Sequence, residues 1–256
     1  MFNLNEGLLA YLVRDAEAYT KEYYLWYFVF ALISITCAYL LGSINSAIIV
    51  SKSIYRDDVR KHGSGNPGLT NMLRTYGKGG AGLTLLGDML KTAVAIFISG
   101  IFFGFNYVGG VSTGEGFCYI AGLFAVIGHV FPIYYKFKGG KGVLSTATMV
   151  LILTPGPFAI LFLIFAAVVA MSKYVSLGSV VSAVLYPVVL HGYFMFIFSN
   201  TNKSLPGLAA LASIIIAILV VWCHRGNLQR ISDRTERKLS FKKAPKDDGE
   251  SDESKS

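Results

Sequence analysis

The sequence predicts an all-α, polytopic membrane protein with seven transmembrane helices, its N-terminus outside and its C-terminus in the cytoplasm. Three observations carry that expectation. Hydrophobic residues make up 54% of the chain and charged residues only 15%, where a soluble domain carries about 25% charged residues. Apolar runs of about 18 residues or more, long enough to cross a hydrocarbon core, recur along the chain. Nineteen of the 23 Lys and Arg residues fall in four polar stretches that seven crossings would gather on one face.

Residues 1–22 read as an amphipathic extension, with Leu8, Leu9, Leu12 and Val13 set against Arg14, Asp15, Glu17 and Lys21. Such a segment suits the membrane interface. It lacks a basic leader and a small-residue cleavage site, so a cleaved signal peptide is not expected. The membrane unit is expected over residues 23–230, with spans at 24–41, 81–105, 117–135, 143–153, 158–171, 175–198 and 207–223. The fourth is only eleven residues long, and Thr154-Pro155-Gly156-Pro157 breaks it from the fifth. Counting it gives seven spans and omitting it gives six; charge decides. With seven, residues 51–80, 136–142, 172–174 and 224–256 share a face and hold six, three, one and nine cations. The other face receives Arg14, Lys21 and Lys203, while Lys91 lies within a span. The positive-inside rule assigns the cation-rich face to the cytoplasm. Residues 231–256, basic and then mixed in charge, have the composition of a disordered tail.

Two glycine-rich stretches on that face carry the chemistry. Residues 60–74 hold Gly63, Ser64, Gly65, Asn66, Gly68, Thr70, Asn71 and Arg74 with no carboxylate. Glycine lets successive backbone N–H groups turn toward one point, where an anion binds, and Arg74 offers a planar fork matched to phosphate oxygens. Lys138, Gly139, Gly140, Lys141 and Gly142 repeat the pattern, either as a second anion nest or as a basic anchor. Residues 63–68 match G-x-G-x-x-G in form, but no βαβ unit surrounds them, so dinucleotide binding is rejected. The second stretch lacks the Ser or Thr of a Walker A loop.

Other polar residues stand apart. Asp88 and Lys91 share a helical face inside a span, which points equally to function or to a helix-to-helix ion pair. His129 and His191 read as structural, whereas His224, with Arg225 and Asn227 following, falls at the cytoplasmic end of the last span. Cys37, Cys118 and Cys223 are isolated in apolar runs, so neither a zinc site nor a disulfide is expected.

In order, the chain holds Leu41-Gly42-Ser43-Ile44, a Gly-Ser-Gly-Asn-Pro-Gly-x-Thr-Asn-x-x-Arg run ending at Arg74, Asp88-x-x-Lys91, His129-x-x-Pro132, Phe137-Lys-Gly-Gly-Lys-Gly142, Tyr174-Val-Ser-Leu177 and His224-Arg-x-Asn227. Together these resemble the bacterial acyl-phosphate:glycerol-3-phosphate acyltransferase family, over residues 39–230. The resemblance implies a seven-helix inner-membrane enzyme whose site faces the cytoplasm. Its reaction moves a fatty acyl group from acyl phosphate to the 1-hydroxyl of glycerol 3-phosphate. Carried over by motif, the site residues are Ser64, Arg74, Lys141, Ser176, His224 and Asn227, with the backbone of both glycine stretches. No metal, cofactor, nucleic acid or obligate protein partner is implied; the partners are the two substrates and membrane lipid. Leu69 stands where alanine is usual, Asn45 where proline is, and Thr92 where glycine is.

The residues agree with such chemistry. Two phosphate-bearing substrates need two clusters of donors where a soluble acceptor meets a lipid tail. Acyl phosphate has a stable leaving group, so neither a strong protein base nor a covalent nucleophile is demanded. None of the four histidines has an Asp five residues on, so the H-x-x-x-x-D box of other glycerolipid acyltransferases is missing. Positioning and electrostatics are left to carry the rate. An anion transporter is the rival reading, but transporters place sites near the midplane and show repeats. A CDP-alcohol phosphotransferase would need a run of metal-binding aspartates that the chain lacks.

Overall fold

The computed structural model describes residues 7–12, 21–104, 113–197 (113–115 by backbone alone), 205 and 207–239. The expectations for residues 1–6, 13–20, 105–112, Lys203 and the chain after Leu239 lie outside the described residues. The helices are α1 (Gly7–Leu12), α2 (Lys21–Ser43), α3 (Ser46–Ser53), α4 (Leu69–Phe103), α5 (Thr113–Val130), α6 (Val143–Leu153), α7 (Pro155–Ser172), α8 (Val175–Ile197) and α9 (Gly207–Ser232). Two 3-10 turns, Val59–Lys61 and Ile133–Tyr135, punctuate the loops.

Pairwise contacts fix the helix directions. Tyr27 meets Phe117 edge-on at 5.0 Å and the Tyr39 hydroxyl donates to Phe131 O at 2.9 Å, so α2 and α5 run parallel. Close approach there needs small residues: a Cβ on Gly42 would overlap Ala125, and one on Gly128 would overlap Tyr39 O. Phe30 stacks on Phe102 at 4.9 Å and Lys91 Nζ reaches Ile44 O, so α4 runs back along α2. Gly142 lies against Val126 and Gly122 against Met149, which makes α6 antiparallel to α5. Gly156 lies against Tyr193 and Gly178 against Val169, which makes α7 antiparallel to α8. The start of α8 meets the end of α9 through Ser176, Asn227 and Glu236.

Direction therefore alternates through α2, α4, α5, α6, α7, α8 and α9. Six helical stretches among the described residues are long and apolar enough to cross a membrane. The other rod, α6, has eleven residues, or roughly 16 Å at 1.5 Å per residue against a core of about 30 Å. The expected seven spans thus become six of crossing length and one short rod that keeps the alternation in step.

Three boundaries depart from the hydropathy reading. The second span begins at Leu69 rather than 81 and runs 35 residues, bent at Gly77, whose φ of 76° only glycine adopts without strain. The last helix continues past 223 to Ser232, so the boundary expected at 230 falls inside it. Ile44 and Asn45 break α2 from α3, and the Asn45 side chain caps α3 by accepting from Ile48 N–H at 3.0 Å. In the first two cases the helix runs on through polar residues because Thr70, Arg74, His224, Asn227 and Arg230 line the cavity.

The apolar core lies between α5, α6, α8 and α9, around Cys118, Met149, Leu190 and Ile216. At the far end Leu9 of α1 packs with Phe30, Phe103 and Phe117. The three cysteines are free, as expected.

Candidate active site

The loop at residues 63–68 is held from beneath. Asn71 is buried; its Oδ1 accepts Ser64 N–H at 3.1 Å, and its Nδ2 donates to Val59 O at 3.2 Å and His62 O at 3.0 Å. The Asn71 amide is therefore committed to the loop and is not a free phosphate ligand, which corrects that expectation. Asn45 Nδ2 donates to Pro67 O at 3.3 Å from below. Outside, Asp58 pairs with Arg60 at 2.5 Å, and this hydrogen bond holds its carboxyl down to about 2.

Residue 68 is the N-cap of α4 and, being glycine, offers no side-chain cap. The first-turn N–H groups of Leu69 and Thr70 thus remain for a ligand, at the positive end of the helix dipole. One helical turn on, the Arg74 side chain makes no hydrogen bond or ion pair among the described residues. Thr70, Asn71 and Arg74, expected in a loop, stand on the first two turns of α4.

The second glycine stretch is built differently. Gly139 N–H donates to Val130 O at 3.1 Å and Gly140 N–H to His129 O at 3.0 Å. A Cβ on Gly139 would overlap His129 O, and one on Gly140 would overlap the His129 ring. These glycines serve close packing against the end of α5, so the expected nest of free N–H groups at 139–140 is not formed. Lys138 is exposed and turned away from the cavity. Gly142, at φ 78°, ends the stretch as the N-cap of α6, again without a side-chain cap.

Lys141 alone of this stretch's cations reaches the cavity. Its Nζ donates to Asn227 Oδ1 at 2.5 Å. Burial lowers its pKa to about 8, partly offset by the nearby Glu236 carboxylate. On α9, His224 and Asn227 lie three apart on one face, both buried. His224 Nδ1 bonds Val220 O at 2.8 Å; a carbonyl only accepts, so the proton sits on Nδ1 and Nε2 is left free. Ser176 opens α8, a third helix start on the same cavity.

Glu236 was not anticipated. Its Oε1 accepts from Ser176 Oγ at 2.7 Å and Asn227 Nδ2 at 2.6 Å, and its Oε2 from Arg230 Nε at 2.8 Å. Burial alone would raise its pKa, but these hydrogen bonds hold it below the usual carboxylate range. Residues 235–239 reach it by turning back after α9, with Leu239 N–H donating to Lys173 O at 2.7 Å. Nothing in a basic C-terminal stretch marks one glutamate for this place; the only cue is that it lies just beyond the last motif.

Most of these groups line one cavity of about 760 Å³. Ser64, Arg74, Lys141, Ser176, His224 and Asn227 are all on it, as are Gly63, Asn66, Gly68, Thr70, Asn71 and Gly142. Gly65, Lys138, Gly139 and Gly140 are not. Its polar mouth leads into an apolar groove between α6, α7 and α8, walled by Val150, Phe158, Leu161 and Phe165, with the buried Tyr186 also on its wall. The Tyr186 hydroxyl has no hydrogen-bond partner among the described residues. No group of three or more His, Cys, Asp or Glu able to hold a metal occurs among the described residues.

Two helix starts without side-chain caps, the cationic heads of Arg74 and Lys141, and an apolar groove inside a bundle of membrane-length helices define a class. It is an integral membrane protein with a site for an amphiphile carrying an anionic head. Residues 32–234 match the sequence profile of the glycerol-3-phosphate acyltransferase family. The chain belongs to that family. It is 40% identical over 205 residues to the glycerol-3-phosphate acyltransferase of Syntrophomonas wolfei subsp. wolfei, covering 80% of this chain and 94% of that one. With the Coxiella burnetii (strain Dugway 5J108-111) enzyme it shares 43% over 213 residues, covering 82% and 98%. Crystal structures of PlsY (YgiH), an integral membrane glycerol 3-phosphate acyltransferase, are similar in fold. The glycerol 3-phosphate form gives a TM-score of 0.67 at 29% identity, and the lysophosphatidic acid form 0.65 at 28%. Each comparison covers 82% of this chain and 96% of that one.

Proposed function

We propose that this chain transfers a fatty acyl group from acyl phosphate to the 1-hydroxyl of sn-glycerol 3-phosphate. The products are 1-acylglycerol 3-phosphate and phosphate, the first acylation of phospholipid synthesis. The observation that carries the reading is the single cavity with separate donor clusters at its mouth and an apolar groove behind. Lys141, Ser176, His224 and Asn227 hold the acceptor phosphate, with Arg74 between the two substrates and Ser64 beside it. The N–H groups at the start of α4 and the loop at 63–68 cradle the donor phosphate, and the groove takes the acyl chain. The acceptor hydroxyl oxygen attacks the acyl carbon, the carbon–oxygen bond to phosphate breaks, and the released phosphate takes up the hydroxyl proton in the overall balance. Charge gathering on the leaving phosphate meets fixed helix dipoles and Arg74, so electrostatic preorganisation supplies most of the acceleration.

The membrane unit crosses seven times in this reading, with α6 and its flanking residues as the fourth crossing. The N-terminus lies outside, and the cavity mouth faces the bacterial cytoplasm, where glycerol 3-phosphate is dissolved. The alternation of helix direction and the nineteen cations on one face support it. Purified protein given palmitoyl phosphate and labelled glycerol 3-phosphate, without added metal, is expected to form labelled 1-acylglycerol 3-phosphate. Equal turnover with acyl-CoA, or loss of activity on chelation, would overturn the donor assignment. Cysteines placed at Ser64, Gly140 and Asn227 are expected to react with an impermeant thiol reagent from the cytoplasmic side alone.

A further inference from the structure

We propose that Lys91 is a positioning residue for the transfer, tying the donor-side loop at 63–68 to the acceptor-side loop at Lys141 and so setting the distance between the two substrates. The inference rests on the substrate assignment just given. Lys91 is 5% exposed and does not line the cavity. Its ammonium hydrogen-bonds Ile44 O at 2.7 Å and His129 Nδ1 at 2.9 Å and forms an ion pair with Asp88 Oδ1 at 2.9 Å. Two of its three donors are therefore spent on other segments and the charge is paired with Asp88, so the ammonium is committed inside the bundle rather than offered to a substrate.

The three partners lie on three segments. Asp88 is on α4 itself and neutralises the charge. Ile44 sits in the break between α2 and α3, and the next residue, Asn45, donates from Nδ2 to Pro67 O in the donor-side loop. His129 stands in the last turn of α5. Lys91 can only donate, so His129 Nδ1 is the bare nitrogen and the ring proton is on Nε2, the atom that packs against Gly140. His129 O also takes the Gly140 N–H at 3.0 Å, and Lys141 follows directly.

Two short chains of contact therefore leave one ammonium. One ends where the first turn of α4 opens, the other at the cation that holds the acceptor. Charge neutralisation alone needs only Asp88, three residues away on the same helix. The added bonds to a backbone carbonyl and an imidazole on other helices fix relative position. That matters for a reaction between two bound substrates, where a misplacement of about 1 Å costs on the order of a hundredfold in rate.

The test uses the full-length protein in detergent, with palmitoyl phosphate and glycerol 3-phosphate varied separately. Lys91→Met, close in shape and without donors, is expected to lower kcat by about a hundredfold, more than it raises either KM. Asn45→Ser keeps a cap for α3 but cannot reach Pro67; it is expected to raise the acyl phosphate KM about tenfold and leave the acceptor KM within about twofold. His129→Ala is expected to do the reverse. A merely structural role would lower thermal stability without splitting the two constants. If each folded variant shifts both KM values alike, or if Lys91→Met keeps kcat within about threefold of wild type, Lys91 only neutralises Asp88 and the proposal fails. Should Lys91→Met not fold, the two arm variants decide. Should the wild-type chain bind glycerol 3-phosphate by calorimetry yet not use acyl phosphate, the donor assignment fails separately. The acceptor Kd still tests the clamp, expected to weaken about tenfold in His129→Ala and to hold in Asn45→Ser; equal values in both would overturn it.

Discussion

Residues 63–68 and 139–142 look alike in sequence and are put to different uses. Both are glycine-rich and free of acids; the second holds Lys141, while the cations of the first, Arg60, Lys61 and Arg74, flank it. In the first, the backbone turns so that the start of α4 stays open, while Asn71 and Asn45 absorb the loop's polar groups from below. In the second, Gly139 and Gly140 spend their N–H groups on α5 carbonyls and lie where no Cβ fits. Only Lys141 and Gly142 turn into the cavity. Glycine permits positive φ and also close approach, and composition does not say which is in use. The lesson is that one stretch makes a backbone cradle, and the other is a tight bracket that presents one side chain.

Lys141 carries the largest expected effect on that contrast. If the second stretch exists to present it, Lys141→Ala removes a charge-assisted bond worth about 1.5–3 kcal/mol, roughly ten- to a hundredfold in kcat/KM for glycerol 3-phosphate. Lys141→Arg is expected to fall by a similar order, because a planar fork does not reproduce one compact ammonium beside Asn227. Full activity in the arginine variant would mean that the stretch supplies charge alone.

The pH profile sharpens the same point. Burial brings the Lys141 pKa down to about 8, and the protonated form is the one that attracts phosphate. Below that value the ammonium is present; above it the free enzyme loses the charge. The KM for glycerol 3-phosphate is therefore expected to stay flat from pH 7 to 8 and to rise about tenfold per unit beyond. In Lys141→Arg the residue-141 charge persists through pH 9, so this rise is expected to disappear. An unchanged profile in that variant would assign the titration to another group.

Next in size, Gly140→Ala drives a methyl into the His129 ring. Overpacking of this kind costs about 1–3 kcal/mol, to be read as a lower unfolding temperature in detergent. Gly65→Ala meets only Arg60 O, at 3.3 Å, but strains a φ of 70°, so about 1 kcal/mol is expected. Losses in the reverse order would break the distinction between bracket and cradle. Smallest of all, Lys138→Ala is expected to leave both KM values within about twofold, because that exposed side chain is off the cavity.

The sequence by itself determined the membrane class and the alternating rods, because hydropathy and charge act locally, and its motifs, through the family resemblance, nominated six site residues. All six of those positions line the cavity. It did not determine where α4 and α9 begin and end: Thr70, Arg74 and Asn227 are polar yet helical, since the polar face of each helix turns to the cavity rather than to lipid. Nor did it reveal that Asn71 is scaffold, that Gly139 and Gly140 are spacers, or that Glu236 gathers Ser176, Asn227 and Arg230. Those roles depend on which donors meet which acceptors across segments distant in the chain. A donor's identity is written in its residue type, but its partner is decided by packing.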